Sequence, residues 1–353
     1  MIVLTGGGSS GHITPNLAVA EVLAPRGWSV HYIGGHNSLE QQLATEWGAP
    51  FYGISTGKFR REFSWKNVVD AVKAFKGIVD SFLVLRKLKP DVVFSKGGFV
   101  GFPVAFGAWL NRIPVVIHES DRTLGLANRL SLPFANLVCV SFPETTGGAR
   151  ATRFTGNPIR KAISDALQST QPQSDLRTSR PILLVFGGSL GARRINETVR
   201  ALLETLLSEF EVVHICGKGN LDPGIQHDYY RQFEYLSHEF PALLASANVV
   251  ICRAGANTMF ELITAAKPAI LIPLPKSGTR GDQILNAEWF VSKGFGLSIR
   301  HEELNTDILL KTIREFHQHR GEFAEAMKRY RLPNAAVAIA DAIEETAKKP
   351  LPD

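Results

Sequence analysis

The sequence predicts an α/β protein with two doubly wound domains built on parallel strands. Short apolar runs such as DVVFS (91–95) and PVVIH (114–118) alternate with longer amphipathic stretches along all 353 residues. These runs are apolar on both faces, which is typical of parallel strands covered by helices on both sides. The pattern also begins twice, because LTGGGSS (4–10) and VFGGSLG (185–191) each place glycines and a serine between a strand and a helix.

The second start places a domain boundary near residue 160. We assign residues 1–160 to an N-terminal domain and 161–333 to a C-terminal domain, with the polar, proline-containing stretch 161–180 as a linker or surface loop. Residues from Asn334 onward predict a helix that can pack on either domain; we place it, at about 334–353, on the first. Ligands of doubly wound sheets bind at the carboxyl ends of strands, so we expect the domains to face each other across a ligand cleft.

Composition excludes several classes of protein. The net charge of +6 suits phosphorylated ligands or an anionic surface, whereas the absence of a dense Arg/Lys helix argues against nucleic acid. Three cysteines lie in apolar runs and are too few for a disulfide framework or a zinc site, which favours a reducing cytosol. No apolar stretch is long enough to span a membrane, and the N-terminus lacks the pattern of a signal peptide.

The first glycine loop formally matches the dinucleotide fingerprint at Gly6, Gly8 and Gly11. That fingerprint requires a carboxylate after the second strand, and residues 32–36 (YIGGH) contain none, so a dinucleotide cofactor is disfavoured. A phosphate-binding loop and a tight glycine corner remain as alternatives. His12, at the start of the next helix, favours the first, because an imidazole there can transfer a proton or contact a diphosphate.

Two loops of the second half carry similar signals. Ser189 can donate a hydrogen bond to a phosphate oxygen, and Gly191 lets the backbone approach the phosphate closely. In GANTMFE (255–261), Asn257 is a predicted helix N-cap, and Glu261 is predicted in the first turn. At that position Glu261 has either a structural role, in which the helix dipole stabilises its charge, or a binding role, in which it accepts hydrogen bonds from two ribose hydroxyls.

The remaining candidate segments are each open to a structural interpretation. RGDQILNA (280–287) forms either a polar wall for a sugar or a helix cap. His118, Glu119 and Asp121 follow a predicted strand and are candidates for acid–base chemistry. The basic and aromatic segment 58–66, with the phenylalanines of 99–106, is either a lipid-contacting patch or a solvated loop beside a buried helix.

Seven ordered blocks carry a resemblance over nearly the whole chain: GGGSSGHITPNLAVA, KGGFVGFPV, PVVIHES, FTGNPIR, FGGSLGARRIN, CRAGANTMFEL and RGDQILNAEWF. Together they resemble the MurG family, glycosyltransferases of the GT-B fold. The resemblance implies an inverting hexosyltransferase that moves N-acetylglucosamine from UDP-N-acetylglucosamine to the 4-hydroxyl of undecaprenyl-diphospho-N-acetylmuramoyl-pentapeptide, converting lipid I to lipid II. It implies no cofactor, a peripheral location on the cytoplasmic side of the cell membrane, and roles in peptidoglycan synthesis, cell wall biogenesis, cell shape, cell cycle and cell division.

The resemblance also implies roles for individual residues. For the donor, Arg160 and Ser189 would contact the diphosphate, Glu261 the ribose, Gln283 the sugar and Leu236 the uracil. The first loop would contact the acceptor diphosphate or sugar through Ser9, Ser10, Gly11 and His12. Serines at 9 and 10, Asp121 where the family usually has asparagine, and Asp282 before Gln283 are departures that indicate a variant branch.

These observations predict direct displacement without a metal ion, since no D-x-D motif is present. Helix N-termini, Ser189 and Arg160 would stabilise the leaving UDP. His12 is the first candidate for the base and Asp121 the second. The alternatives are a UDP-N-acetylglucosamine 2-epimerase, which uses a similar two-domain fold, and a non-catalytic nucleotide-sugar-binding subunit. A pure scaffold would need neither the donor set nor His12.

Overall fold

The computed structural model describes residues 1–8, 10–57, 65–145, 151–159, 163, 165, 180–188, 191–236, 239–277 and 279–348, with the backbone alone for 10, 65–69 and 71. The chain forms two compact units. One comprises Met1–Ile159 with Pro333–Asp353, and the other comprises Arg160–Leu332. The predicted linker 161–180 and the predicted lipid-contacting segment 58–66 lie largely outside the described residues.

The N-terminal unit alternates strands and helices from its first residues. Its strands are β1 (Ile2–Thr5), β2 (Val30–Gly35), β3 (Phe51–Ile54), β4 (Val92–Ser95), β5 (Val115–Glu119), β6 (Leu137–Val140) and β7 (Thr152–Phe154). Its helices are α1 (Ser10–Leu23), α2 (Leu39–Trp47), α3 (Trp65–Leu88), α4 (Gly101–Leu110) and α5 (Leu126–Ser131), with 3₁₀ turns at Ala24–Arg26 and Leu132–Phe134. Local signals set some of these ends: Ser38 caps α2 by accepting from the Gln41 N–H, and Gly48 ends it in the left-handed conformation.

The strands form one parallel sheet in the order β3-β2-β1-β4-β5-β6-β7. Val3 of β1 lies between His31 on one side and Val93 on the other, so β1 and β4 are adjacent although two strands separate them in sequence. The order reverses at this pair. Such a switch point is where doubly wound sheets bind their ligands, at the carboxyl ends of the strands.

Alternating side chains of the strands supply two hydrophobic layers. Ile2 and Leu4 belong to one buried cluster, which includes residues of α1 and of the C-terminal helix, whereas Val3 belongs to another, which includes residues of α3 and α4. The C-terminal helix, Ala335–Lys348, therefore packs on the N-terminal unit through Ile339 and Ile343. Both faces of the sheet are covered, as the two-sided apolar strands indicated.

The second unit repeats the architecture. Its strands are β8 (Ile182–Phe186), β9 (Glu211–Ile215), β10 (Tyr230–Phe233), β11 (Val249–Cys252), β12 (Ala269–Leu271) and β13 (Gly296–Ser298). Its helices are α6 (Arg193–Ala201), α7 (Leu203–Glu209), α8 (Phe240–Ser246), α9 (Ala256–Thr264), α10 (Asp282–Ser292) and α11 (Thr306–Arg329), with a 3₁₀ turn at His301–Glu303; the C-terminal helix Ala335–Lys348 becomes α12. The parallel order β10-β9-β8-β11-β12-β13 reverses at β8 and β11. The two sheets confirm the predicted class of two doubly wound α/β domains.

Candidate active site

The first glycine loop follows β1 and precedes α1, at the switch point of the first sheet. The Tyr32 hydroxyl donates to the Gly6 carbonyl at 2.7 Å, and Asn16 Nδ2 donates to the Thr5 carbonyl and to the Tyr32 oxygen, both at 3.0 Å. Tyr32 and Asn16 are fully buried, and burial raises the pKa of the tyrosine, which keeps its hydroxyl a donor. The start of the loop, at Thr5 and Gly6, is therefore anchored from the protein interior.

Three of the four predicted acceptor residues lie at the start of α1. Ser9 lies outside the described residues, and Ser10 begins the helix. Gly11 and His12 are in its first turn and are half-buried. The backbone N–H groups and the dipole of a helix N-terminus favour an anion, so a phosphate with an imidazole beside it suits this position.

A second glycine pair lies directly against the first loop. Gly97 and Gly98 follow β4 and have φ angles of 88° and 75°. A Cβ atom on Gly98 would overlap the carbonyl oxygen of Gly7. The two loops are thus in backbone contact, and only glycine permits both the left-handed conformation and this approach.

The end of β5 carries a buried carboxylate with a structural task. Glu119 accepts hydrogen bonds from the backbone N–H groups of Asp121 (3.1 Å) and Gly125 (2.8 Å) and from Asn128 Nδ2 (2.9 Å). It is 5% exposed. Glu119, predicted as an acid–base candidate, therefore shapes the loop that carries Asp121, and Asp121 itself is half-buried.

The other side of the same strand end contains a buried lysine that sequence reasoning missed. Lys96 follows β4 and is 2% exposed. Its Nζ lies 2.5 Å from His118 Nδ1, 2.5 Å from Ser120 Oγ and 2.9 Å from Asn157 Oδ1. No local signal could have found it, because a cation that follows an apolar strand is ordinarily exposed to solvent.

His118 is engaged at both ring nitrogens, because Nε2 lies 2.9 Å from the Gly156 carbonyl. Burial, together with the charge of Lys96, holds the pKa of His118 well below its usual value. The imidazole is neutral, with its proton on Nε2 toward the carbonyl and Nδ1 accepting from Lys96. This arrangement makes His118, another predicted acid–base candidate, part of the support of the site.

The second unit builds its glycine loop in the same way. Ser189, predicted for the diphosphate, lies outside the described residues. Gly191 has a φ of 76° and approaches the Cys216 carbonyl so closely that a Cβ would overlap it. Asn196 Nδ2 donates to that carbonyl at 2.8 Å, and Asn196 Oδ1 lies 3.0 Å from His214 Nε2. This buried network holds the Cys216 carbonyl, against which Gly191 packs.

The two arginines that follow this loop, Arg193 and Arg194, have partners within the unit. Arg194 donates to the carbonyls of Glu302 (3.0 Å) and Leu304 (2.8 Å). Arg193 forms an ion pair with Glu197 at 2.7 Å. Both arginines therefore have structural partners.

Helix α9 begins earlier than predicted. Its N-cap is Gly255, not Asn257, and the helix starts at Ala256. Glu261 is the sixth residue of the helix, in its second turn rather than its first, and is 9% exposed. Both predictions were wrong because Gly255 adopts the extended conformation of an N-cap without a side chain. The helix dipole thus has less influence on Glu261 than expected.

The predicted sugar contact lies at the start of α10. Gln283 is half-buried, and its Oε1 accepts from the Leu274 N–H at 3.0 Å. Asp282 pairs with Arg280 at 2.9 Å. Leu236, predicted near uracil, is half-buried and follows β10, and Arg160 lies outside the described residues.

Arg253, which follows β11, was also missed as a supporting residue. Its Nη1 donates to the carbonyls of Ile272 (3.0 Å) and Pro273 (3.2 Å) and lies 3.2 Å from His301 Nδ1. It holds the chain that leads from β12 toward Gln283. Burial lowers its pKa, as expected for a guanidinium bonded to neutral carbonyls.

The described residues contain no group of three or more side chains suited to hold a metal ion. Cys139, Cys216 and Cys252 are free and buried. Burial raises the pKa of the Cys139 thiol to about 12, so this thiol is unreactive at neutral pH.

Comparisons with known proteins agree with this arrangement. Residues 2–140 match the glycosyltransferase family 28 N-terminal domain, and residues 182–345 match the glycosyltransferase family 28 C-terminal domain. The chain is 45% identical to the UDP-N-acetylglucosamine–N-acetylmuramyl-(pentapeptide) pyrophosphoryl-undecaprenol N-acetylglucosamine transferase of Clostridium perfringens, over 98% of each chain. It is 42% identical to the Geobacillus kaustophilus enzyme of that name, over 98% of this chain and 99% of the relative.

Solved structures show the same fold. The crystal structure of Acinetobacter baumannii MurG is 26% identical with a TM-score of 0.76, covering 98% of this chain and 99% of that one. A UDP-GlcNAc 2-epimerase from Neisseria meningitidis has a TM-score of 0.69 at 15% identity, over 98% of this chain and all of that one, which shows a shared fold alone. The sequence relatives favour the transferase over the epimerase alternative. The chain therefore belongs to the MurG family, hexosyltransferases of the GT-B fold, as the sequence predicted.

Proposed function

We propose that this chain transfers N-acetylglucosamine from UDP-N-acetylglucosamine to the 4-hydroxyl of undecaprenyl-diphospho-N-acetylmuramoyl-pentapeptide, producing lipid II. The observation that carries the proposal is 42–45% identity over nearly the whole chain to relatives whose names state this transfer. The product would supply peptidoglycan synthesis and, through it, cell wall biogenesis, cell shape, the cell cycle and division. The reaction would take place on the cytoplasmic side of the membrane.

The reaction is a direct displacement with inversion. The acceptor hydroxyl oxygen forms a bond to the anomeric carbon while the bond from that carbon to the UDP oxygen breaks, and a base takes the hydroxyl proton. His12 is the first candidate, because it lies half-buried in the first turn of α1. Asp121 is the second, because Glu119 and Thr145 anchor its backbone beside the same strand ends. Ser9, Ser10 and Gly11 would contact the acceptor diphosphate or sugar.

Donor recognition is assigned to the second unit and the connecting chain. Arg160 and Ser189 would neutralise the leaving diphosphate, Glu261 would accept from the ribose hydroxyls, and Leu236 would contact uracil through its backbone. Gln283 would donate to the sugar through Nε2, since its Oε1 is fixed by the Leu274 N–H.

The test is UDP release from UDP-N-acetylglucosamine with and without a short-chain lipid I analogue. We expect release that depends on the acceptor, with a disaccharide product. His12→Ala should lower kcat by about 10²–10⁴-fold if His12 is the base, whereas His319→Ala, at an exposed histidine of α11, should have no effect. Wild-type turnover in both His12→Ala and Asp121→Asn would refute the base assignment. Donor binding without release would indicate a binding subunit, and release of free sugar without acceptor would indicate the epimerase.

Membrane attachment is assigned to the outer face of α3. Val72, Phe75, Val79 and Leu83 follow one another at helical spacing and are exposed, with 68% of Phe75 accessible. Exposed lysines and arginines flank them, namely Lys73, Lys76, Arg86 and Lys87. An apolar stripe between cations fits the headgroup region of an anionic bilayer. Among the described residues, no helix combines the length and hydropathy needed to cross a membrane.

Vesicle sedimentation tests this surface. The protein should bind phosphatidylglycerol vesicles more strongly than phosphatidylcholine vesicles. Phe75→Glu should weaken binding by about 10- to 100-fold, since a buried phenylalanine contributes about 1.5–3 kcal/mol. Leu221→Glu, at an exposed leucine of the second unit, is the matched control. Equal binding of both variants would refute the assignment.

A further inference from the structure

Lys96 is a buried cation that joins several strand ends at once. Its ammonium contacts His118 and Ser120, at the end of β5, and Asn157, which follows β7. Ser120 Oγ also lies 3.3 Å from Asn157 Oδ1, which closes a small ring of hydrogen bonds. One side chain therefore ties the carboxyl end of β4 to two segments that are distant in sequence.

The contacts require the charged form of the lysine. The three partners all accept, since His118 presents Nδ1 and the other two present oxygens, so all three ammonium protons are used. The charged or titratable groups acting on it are Glu119 at the end of β5, Asp121 after that strand, the Cys139 thiol of β6 and His118 itself. Burial lowers the pKa of Lys96 to about 7, opposed by the two carboxylates.

Removing a cation from water costs free energy, so a buried lysine is a poor means of stabilising a fold. An apolar side chain of similar volume commonly stabilises a protein as well as a buried charge does, or better. The lysine also lies at the switch point, where its backbone N–H donates to the Thr5 carbonyl beside the first glycine loop. Its position, and the free energy that its burial costs, both indicate that Lys96 has a role in function.

We propose that Lys96 is a positioning residue for glycosyl transfer, acting through Ser120 and Asn157. Ser120 immediately precedes Asp121, the second candidate base, and Asn157, which follows β7, holds the ammonium from the other side. The ammonium fixes the backbone of both segments, so that its loss displaces them without removing any group that touches substrate. This inference rests on the proposed transferase function.

The experiment compares Lys96→Met, Lys96→Arg and Ser120→Ala with the control Lys311→Met, at an exposed lysine of α11. UDP release is measured with the lipid I analogue from pH 6 to pH 9. We expect Lys96→Met to lower kcat/KM for the acceptor at least tenfold with the KM for UDP-N-acetylglucosamine unchanged within twofold. Wild-type activity should fall above pH 7 as the ammonium loses its proton, and Lys96→Arg should lack that decline.

Each outcome decides the matter. Wild-type kcat/KM in a folded Lys96→Met, or an alkaline decline that persists in Lys96→Arg, would overturn the inference. If Lys96→Met does not fold, Ser120→Ala removes the hydroxyl contacts to Lys96 and Asn157 at a half-exposed position and keeps the charge. This variant should fold and lose activity, and full activity would overturn the inference. A wild-type protein with no acceptor-dependent release would instead refute the proposed function and the inference with it.

Discussion

The contact between the two glycine loops of the N-terminal unit makes Gly98→Ala a sharp perturbation. Gly98 has a φ of 75°, and a Cβ there would overlap the Gly7 carbonyl oxygen and lie 3.2 Å from the Gly7 nitrogen. Gly27 has a similar φ of 88°, but a Cβ there would meet no atom within 4 Å. Comparing Gly27→Ala with Gly98→Ala therefore separates the effect of backbone strain from the effect of displacing the loop.

The magnitudes follow from this difference. A left-handed conformation costs an alanine about 1–2 kcal/mol, partly offset by the lower entropy of its unfolded chain. Gly27→Ala should therefore destabilise by about 1 kcal/mol. Gly98→Ala adds overpacking against main chain, which typically costs about 1–3 kcal/mol more. Because a misplacement of about 1 Å can cost 10²-fold in rate, acceptor-dependent turnover should fall by about that factor in Gly98→Ala alone.

Denaturant unfolding and UDP release measure the two effects. Gly27→Ala should keep wild-type turnover at its reduced stability, since its turn is remote from the switch point. Equal stability and equal turnover of the two variants would show that the two loops do not depend on each other.

Three further predictions concern stability. The Lys96 pKa of about 7 lies below its unfolded value of 10.5, so the unfolded chain binds more protons between these pH values. The free energy that burial of the charged lysine costs the folded state is therefore greatest below pH 7 and decreases as the pH rises. Wild type should therefore gain about 2 kcal/mol relative to Lys96→Met from pH 7 to pH 9 in denaturant unfolding, and a constant difference would contradict the burial of the charge. Glu119→Gln should destabilise by about 1–3 kcal/mol, because an amide cannot accept at both positions; an unchanged unfolding midpoint would contradict this. Ile339→Ala, on the buried face of α12, should lower the free energy of unfolding by about 2–5 kcal/mol. Arg26→Ala, which removes ion pairs to the same helix, should lower it by less than about 1 kcal/mol. The reverse order would show that ion pairs, not apolar packing, hold α12 on the unit.

The sequence predicted those parts of the molecule that depend on local pattern. The two-sided apolar strands identified both parallel sheets, and glycines between strand and helix located both loops at the switch points. The start of α9 was predicted wrongly because Asn257 has the preferred N-cap side chain, while the turn ended at Gly255, which caps through its backbone conformation. Residue preferences decide a helix end only when no backbone constraint competes.

Lys96 and the outer face of α3 depend on long-range structure. The lysine is buried because strand order brings together His118 and Asn157, which are 22 and 61 residues away. A cation after an apolar strand is ordinarily solvated, so no local pattern reveals this burial. The α3 stripe was overlooked because its apolar residues resemble a core face, and only the packing of α4 on the opposite side shows which face is exposed.

The alternation of side chains at the end of β5 explains how one short segment supports a reacting group from two directions. His118 and Ser120 contact Lys96, whereas Glu119, between them, contacts the backbone of Gly125 and the side chain of Asn128. The loop that follows is thus fixed by a buried cation on one side and a buried carboxylate on the other.

A group carried on such a loop loses little entropy when substrate arrives, which is the condition for effective proton transfer. His12 has a different support, because a helix that begins beside a glycine loop holds it. If Asp121 is the base, Lys96→Met and Glu119→Gln should both lower kcat, and the effects of combining them should be less than additive, since both act through the same loop. If His12 is the base, Glu119→Gln should leave kcat nearly unchanged, because none of its three hydrogen bonds reaches α1.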